Sequence, residues 1–334
     1  MKTRNWSMLL SAVGLLFLIF DSGTALSGAE EGIEICIRTL IPSLFPFFVL
    51  SGLLSGGLQS LRGNWIRNID RCFQIPEGSS HLLLLGFLSG FPVGAKNVSD
   101  SYRGNQLSRE DAARMAVLCN NAGPSFLFGI LLSQFEDAGV VWMLWGIQIL
   151  SCLVMARLTG KAAGRFIPAP TGEGISPVQA MNQAIRSMAS VCGWVILMRI
   201  FLKFLELHIF PFLSPVLRVL VTGFLELSNG CLMLRQIESE GLRFALCAAM
   251  LSFGGLCVHL QTGSVCGELS MKSYFLHKLT QSVISCSLAL SLQFLFPTSD
   301  RFSHSLFLIS GALIILCLLR KNKKSSSIPG KIGV

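Results

Sequence analysis

The sequence predicts an all-α polytopic membrane protein, with about eight transmembrane helices plus two re-entrant hairpins in two inverted repeats containing broken helices. Three observations predict it. The 334 residues are 51% hydrophobic and only 13% charged, about half the charged share of an ordinary soluble domain. Apolar stretches recur from end to end, each near the roughly 20 residues that cross a ~30 Å hydrocarbon core. The basic residues gather in short loops on one side of those stretches, as the positive-inside rule requires.

Eight spans are nearly uninterrupted: Trp6 to Phe20, Thr39 to Leu58, Met115 to Phe135, Gly139 to Leu158, Met188 to Leu207, Phe244 to Cys266, Leu279 to Phe296 and Ser303 to Leu319. Lys2 and Arg4 before the first give it the look of a cleavable leader as well, although a chain with seven further spans needs none. Two more apolar stretches, His81 to Ala95 and Phe212 to Leu232, are interrupted by Gly, Pro, Ser or Asn. If each enters and leaves on one side, the cytoplasmic segments are the N-terminus, 59–80, 96–114, 156–187, 268–278 and the tail, and these hold 20 of the 27 Lys and Arg. A full crossing at His81 to Ala95 would move the basic 156–187 segment outside, so re-entrant hairpins are favoured.

This topology divides the chain into an N-terminal transmembrane helix (1–28), a first repeat (29–159), a cytoplasmic linker (160–187), a second, inverted repeat (188–296), and a C-terminal helix with the basic tail (297–334). Interrupted segments at matching places in two inverted halves point to a transport site at the midplane, because unwound backbone at that depth is tolerated where it lines a cavity or is buried in protein.

Four strings hold most of the polar or helix-breaking residues at membrane depth. In the first half they are GFLSGFPVGAKN, Gly86 to Asn97, and CNNAGPSFLFG, Cys119 to Gly129. In the second they are GFLELSNG, Gly223 to Gly230, and LSFGGLCVHLQTG, Leu251 to Gly263. They contain the candidate substrate- or ion-binding residues: Ser89, Phe91, Pro92, Gly94, Lys96, Asn97, Asn120, Asn121, Ser125, Glu226, Ser228, Asn229, Ser252, Gly254, Gly255, His259 and Gln261.

Pro92, Gly94 and Lys96 would set a bent backbone, with free N–H groups at a helix terminus, beside an ammonium, which suits a carboxylate; the competing reading is a lysine that snorkels to the headgroups. Pro124 should interrupt the helix from Met115, so Asn120 and Asn121 face a break, either as ligands or as caps for freed backbone groups. Gly254 and Gly255 pose the same choice between a site and close helix packing. Glu226 lies inside the apolar zone, where a carboxylate is costly unless paired, wet or protonated. Its readings are a proton carrier, a cation ligand, a hydrogen bond to hairpin backbone, or a pair with Arg218 or Arg235. Arg199 and Lys203 share a helical face and either line the path or snorkel outward.

These four motifs, in this order and beginning with PSLFPFF at Pro42 to Phe48, resemble the nucleoside-recognition (Gate) superfamily and most closely its YlbJ-like sporulation integral membrane proteins. The resemblance covers roughly 30–296. Phe91 and Val93 stand where relatives often carry Tyr and Ser, and Leu227 and Ser228 where Ile and Thr are common, differences that bear on substrate preference. The resemblance implies a transporter-like fold and a role in endospore formation, with movement of dipicolinic acid towards the developing spore.

The expected function is therefore a bacterial cell-membrane transporter of a small anionic metabolite, with a coupling proton or sodium ion, the lipid bilayer and a homo-oligomeric copy of itself as the partners such a carrier admits. A membrane around the forespore is the second location that the resemblance suggests. The alternative from a different class is a non-transporting scaffold or signalling subunit that keeps the Gate fold. Eleven scattered Cys without a C-x-x-C pair fit small buried hydrophobes. No metal set, phosphate loop or nucleophile elbow occurs, so neither a cofactor nor an enzyme is expected. The basic residues form no contiguous stripe for nucleic acid.

Overall fold

The computed structural model describes residues 14–295, apart from 17, 61, 62, 136, 161–163 and 169–175. The spans expected at Trp6 to Phe20 and Ser303 to Leu319 lie wholly or largely outside the described residues, as do parts 161–163 and 169–175 of the linker. No strand occurs among the described residues; a single isolated bridge joins Glu77 to Arg165.

The first half begins with α1 (Ser22–Ile35), which passes through a π-helical turn, Cys36–Leu40, into α2 (Ile41–Ser60). After α3 (Asn64–Phe73), two short helices, α4 (Ser80–Ser89) and α5 (Val93–Arg103), form a hairpin. An interrupted helix follows as α6 (Arg109–Cys119) and α7 (Pro124–Ile130), and then the uninterrupted α8 (Ala138–Leu158). The second half has a similar order without a counterpart of α3: the long α9 (Pro177–His208), a hairpin of α10 (Pro215–Leu225) and α11 (Leu227–Leu232), an interrupted helix of α12 (Glu240–Phe253) and α13 (Gly255–Val265), and the long α14 (Met271–Leu295).

Among the described residues five segments are long and apolar enough to cross a membrane: Ser22–Ser55, Arg109–Ser133, Ala138–Leu158, Pro177–His208 and Glu240–Val265. Four contain or closely match an expected span and Ser22–Ser55 overlaps the one at Thr39 to Leu58, while α14, which holds most of the span expected at Leu279 to Phe296, is not among the five; the chain is a multi-pass membrane protein. The ends differ in three places. Met188 to Leu207 is the latter part of a helix that starts eleven residues earlier, inside the expected linker, where Ser176 and Gln179 make a reciprocal capping box with Pro177 between them as the first helical residue. The segment with Glu30, Glu31 and Glu34, which lies between the first two expected spans and outside the expected cytoplasmic segments, is helical. Its Gly28 and Gly32 let α1 press against α9, where an added Cβ would come within 2.8 Å of the Ile200 Cα and 2.9 Å of the Ile196 Cα. Small residues are how helices approach each other closely in lipid. On the same interface Glu31 pairs with Arg199 and Lys203, and Arg199 also reaches Glu206 at 2.6 Å. Arg199 and Lys203 thus neither snorkel alone nor stand free. The third difference is at 268–278, expected as a cytoplasmic loop, where α14 has already begun and Lys278 is buried within it.

Two pairs of long helices frame the molecule. α9 packs on α1 and α2, while α14 packs on α12 and α8. The hairpins and interrupted helices lie against this frame, and their unwound joints meet in its interior.

Candidate functional site

The first hairpin turns at Gly90, whose φ of +76° an L side chain rarely adopts, and re-enters helix after the cis Phe91–Pro92 peptide, with Pro92 as the N-cap of α5. Its arms are clamped onto the first helix break. A Cβ on Gly86 or Gly94 would lie 2.1 or 1.9 Å from the Cys119 carbonyl oxygen, and one on Gly90 would lie 2.7 Å from the Gly123 nitrogen. The break runs from Asn120 to Gly123, and Pro124 starts α7 at the position where its missing N–H costs nothing.

The second hairpin is joined by one extended residue, Glu226, which is both the C-cap of α10 and the N-cap of α11. Its carboxylate accepts hydrogen bonds from the Ser228 nitrogen (3.0 Å), the Asn229 nitrogen (2.6 Å) and the Asn229 side-chain amide (2.7 Å). Arg218 instead donates to the Leu213 carbonyl (2.9 Å), and Arg235 is exposed. Of the readings open for Glu226, its contacts match the hydrogen bond to hairpin backbone. Here too the arms meet through glycine: a Cβ on Gly230 would fall 2.3 Å from the Gly223 Cα. The second break is the left-handed Gly254, φ +86°, which ends α12.

Both hairpin joints and the first helix break line one narrow cavity of about 20 Å³, which α13, beyond the second break, completes. Ser89, Gly90 and Phe91 come from the first hairpin, Gly123 and Ser125 from the first break, Glu226, Leu227 and Ser228 from the second hairpin, and Val258 and Gln261 from α13. Apolar walls are supplied by Leu40 and Leu44 beside Val191 and Val195. The hydroxyls of Ser89 and Ser125 are buried there without a hydrogen-bond partner among the described residues, which leaves two hydrogen-bonding groups open to whatever occupies the cavity, water included. The volume suits about one water, so a metabolite can enter only if the hairpins move. A larger, open vestibule of about 500 Å³ is lined by Glu31, Glu34, Arg38, Arg199, Glu206 and Asn229. Asn229 on the vestibule is tied to Glu226 on the cavity.

The remaining expected residues lie elsewhere. Lys96 pairs with Asp100 at 2.7 Å and, with Asn97, borders a separate crevice beside Ser51, Gln183 and Ser187. It does not line the cavity at the hairpin tips. Pro92 and Gly94 shape the hairpin, and Gly255 the second break. Ser252 shares a 2.5 Å hydrogen bond with Ser285. His259 donates through Nδ1 to the Gly255 carbonyl (2.8 Å) and sits among the rings of Phe253, Tyr274 and Phe275.

Asn120 and Asn121 enter a buried polar network behind the cavity. Asn120 donates to Thr262 (2.9 Å) and Tyr274 (2.7 Å). Asn121 accepts from Lys278 (3.1 Å) and Gln281 (3.2 Å), and Gln281 also donates to Ser151 (3.3 Å). Gln148 donates to the Ala122 carbonyl inside the break (2.8 Å). Sequence reasoning missed these partners. Lys278 directly precedes the span at Leu279 and so looks like a flanking topology charge. The signal that could have found it is helical spacing, which places Lys278, Gln281 and Ser285 on one stripe of α14.

Among curated proteins the chain is similar to the sporulation integral membrane protein YlbJ of Bacillus subtilis (strain 168), with 25% identity over 322 aligned residues, covering 80% of this chain and 79% of the relative. No protein-family model matches the sequence. No solved structure matches it.

Proposed function

From a multi-pass membrane chain that is YlbJ-like over most of its length, we propose a secondary transporter of a small anionic metabolite, built from two inverted Gate-like repeats. The observation that carries the reading is the meeting of two hairpin tips and the first helix break, with α13 beside them, around one narrow cavity that holds buried polar groups among apolar walls. Irregular backbone at membrane depth is costly unless it lines such a site. The repeated element order supports two repeats, as does the pairing of equivalent frame helices, α2 with α9 and α8 with α14.

Transport then proceeds by movement of the hairpins against the frame. Ser89, Ser125, Ser228 and Gln261 contact the solute, while Glu226, bonded to Ser228 and Asn229, holds the hairpin on the route to the vestibule. The relative's name places that protein in sporulation, and the substrate implied by the family resemblance is dipicolinate, moved across a membrane of the sporulating cell. In proteoliposomes, saturable uptake of dipicolinate or a related carboxylate is expected. Absence of flux from protein shown to be folded would sink the proposal.

Orientation gives a second test. With native cysteines replaced, a cysteine at Gln106, before α6, should be shielded from an impermeant thiol reagent added outside, and one at Ser239, before α12, should be labelled. The opposite pattern would reverse the topology.

A further inference from the structure

We propose that Lys278 is a tethered cation: its ammonium fills a monovalent-cation site at the first helix break, formed by the side-chain oxygens of Asn121 and Gln281. Lys278 is only 2% exposed. Its nitrogen lies 3.1 Å from Asn121 Oδ1 and 3.0 Å from Gln281 Oε1. Both acceptors are neutral, and among the described residues no carboxylate is within ion-pair distance of it. The ionisable groups near enough to feel its charge are the Cys119 and Cys152 thiols on α6 and α8 and the His259 imidazole on α13. A buried ammonium without a counter-ion is expensive, so the surroundings must present negative potential by other means.

They do so through oriented amides. Asn121 Nδ2 is committed to the Leu118 carbonyl (2.6 Å) and Gln281 Nε2 to Asn121 Oδ1 and Ser151, which turns both amide oxygens toward Lys278. The break also exposes the C-terminal end of α6, the negative end of a helix dipole. Two further amide oxygens of this region, Asn120 Oδ1 and Gln148 Oε1, are buried without a partner among the described residues. Half-helix C-termini and unwound backbone are the usual surroundings of a coupling cation in transporters. Here the cation is covalently attached, so external sodium has no place to bind, and one of the three N–H donors of Lys278 is left for a third acceptor.

The transporter reading underlies only the flux part of the test. In detergent at constant ionic strength, the wild-type melting temperature should be the same in choline, sodium and methylammonium chloride. Lys278→Ala should fall by about 5 °C or more in choline and regain at least half of the loss in methylammonium or sodium. An unresponsive Lys278→Ala, or a wild type stabilised equally by sodium, would overturn the site. If Lys278→Ala does not fold, Gln281→Glu decides: a carboxylate beside the ammonium should raise the wild-type melting temperature and lower that of Lys278→Met. Equal effects in the two backgrounds would overturn the proposal. Wild-type flux should be unchanged when sodium is replaced by choline, and a sodium requirement would count against the site. Cation rescue in a protein without flux would uphold the site and sink the transporter reading.

Discussion

Replacing Gly94 by alanine is expected to abolish accumulation of folded protein in the membrane, and Gly86→Ala to do nearly the same. The new methyl would stand 1.9 Å (Gly94) or 2.1 Å (Gly86) from the Cys119 carbonyl oxygen, and at Gly94 also 3.0 Å from the Gly86 Cα. These are backbone atoms, and the carbonyl ends the helix that precedes the break, so no side-chain rotation relieves the clash. Overpacking that forces backbone apart should cost about 3 kcal/mol or more. Gly193 on α9 has open space around its Cα, and Gly193→Ala should be neutral or slightly stabilising, by up to about 1 kcal/mol. Membrane abundance and thermal unfolding of the three variants provide the check. A Gly94→Ala protein with wild-type stability would show that the hairpin does not rest on the break as described.

Those glycines were visible in the sequence because the physics that breaks a helix in lipid is local. Gly86 to Asn97 and Gly223 to Gly230 carry Gly, Pro, Ser and Asn where an apolar run should continue, and both form hairpins with their joints at Gly90 and Glu226. Pro124 and the Gly254–Gly255 pair likewise mark the two helix breaks. What stayed hidden depends on partners distant in sequence. The acidic segment around Glu31 resembles a loop until Arg199 and Lys203, 168 and 172 residues away, supply its counter-charges. Lys96 looks like an anion ligand until Asp100, one turn on, claims it. Lys278 looks like a flanking charge until Asn121, 157 residues earlier, turns its amide oxygen inward. Composition reports that a buried charge is costly; only the fold reports what offsets the cost.

Glu226 is the cavity residue whose replacement should reveal most. Its carboxylate has three N–H donors and no cation among its described contacts, and it is the only residue between the two arms of the second hairpin. Glu226→Ala removes an N-cap, worth about 1 kcal/mol. It also leaves buried donors facing no acceptor, so the total loss should be roughly 2 to 4 kcal/mol. Glu226→Gln keeps the shape but presents one acceptor oxygen and one amide nitrogen to a ring of donors, so it should recover only part of the loss. Both variants should therefore lower thermal stability and membrane abundance, alanine more than glutamine. The residual flux per folded molecule should keep the wild-type pH profile, because the group acts by holding the hairpin closed over the cavity. A proton carrier would behave differently: Glu226→Gln would retain full stability and substrate exchange while its flux lost all dependence on pH. Measuring uptake in proteoliposomes across a pH series, normalised to folded protein, separates the two, and the second pattern would move Glu226 from the frame of the hairpin to the coupling chemistry.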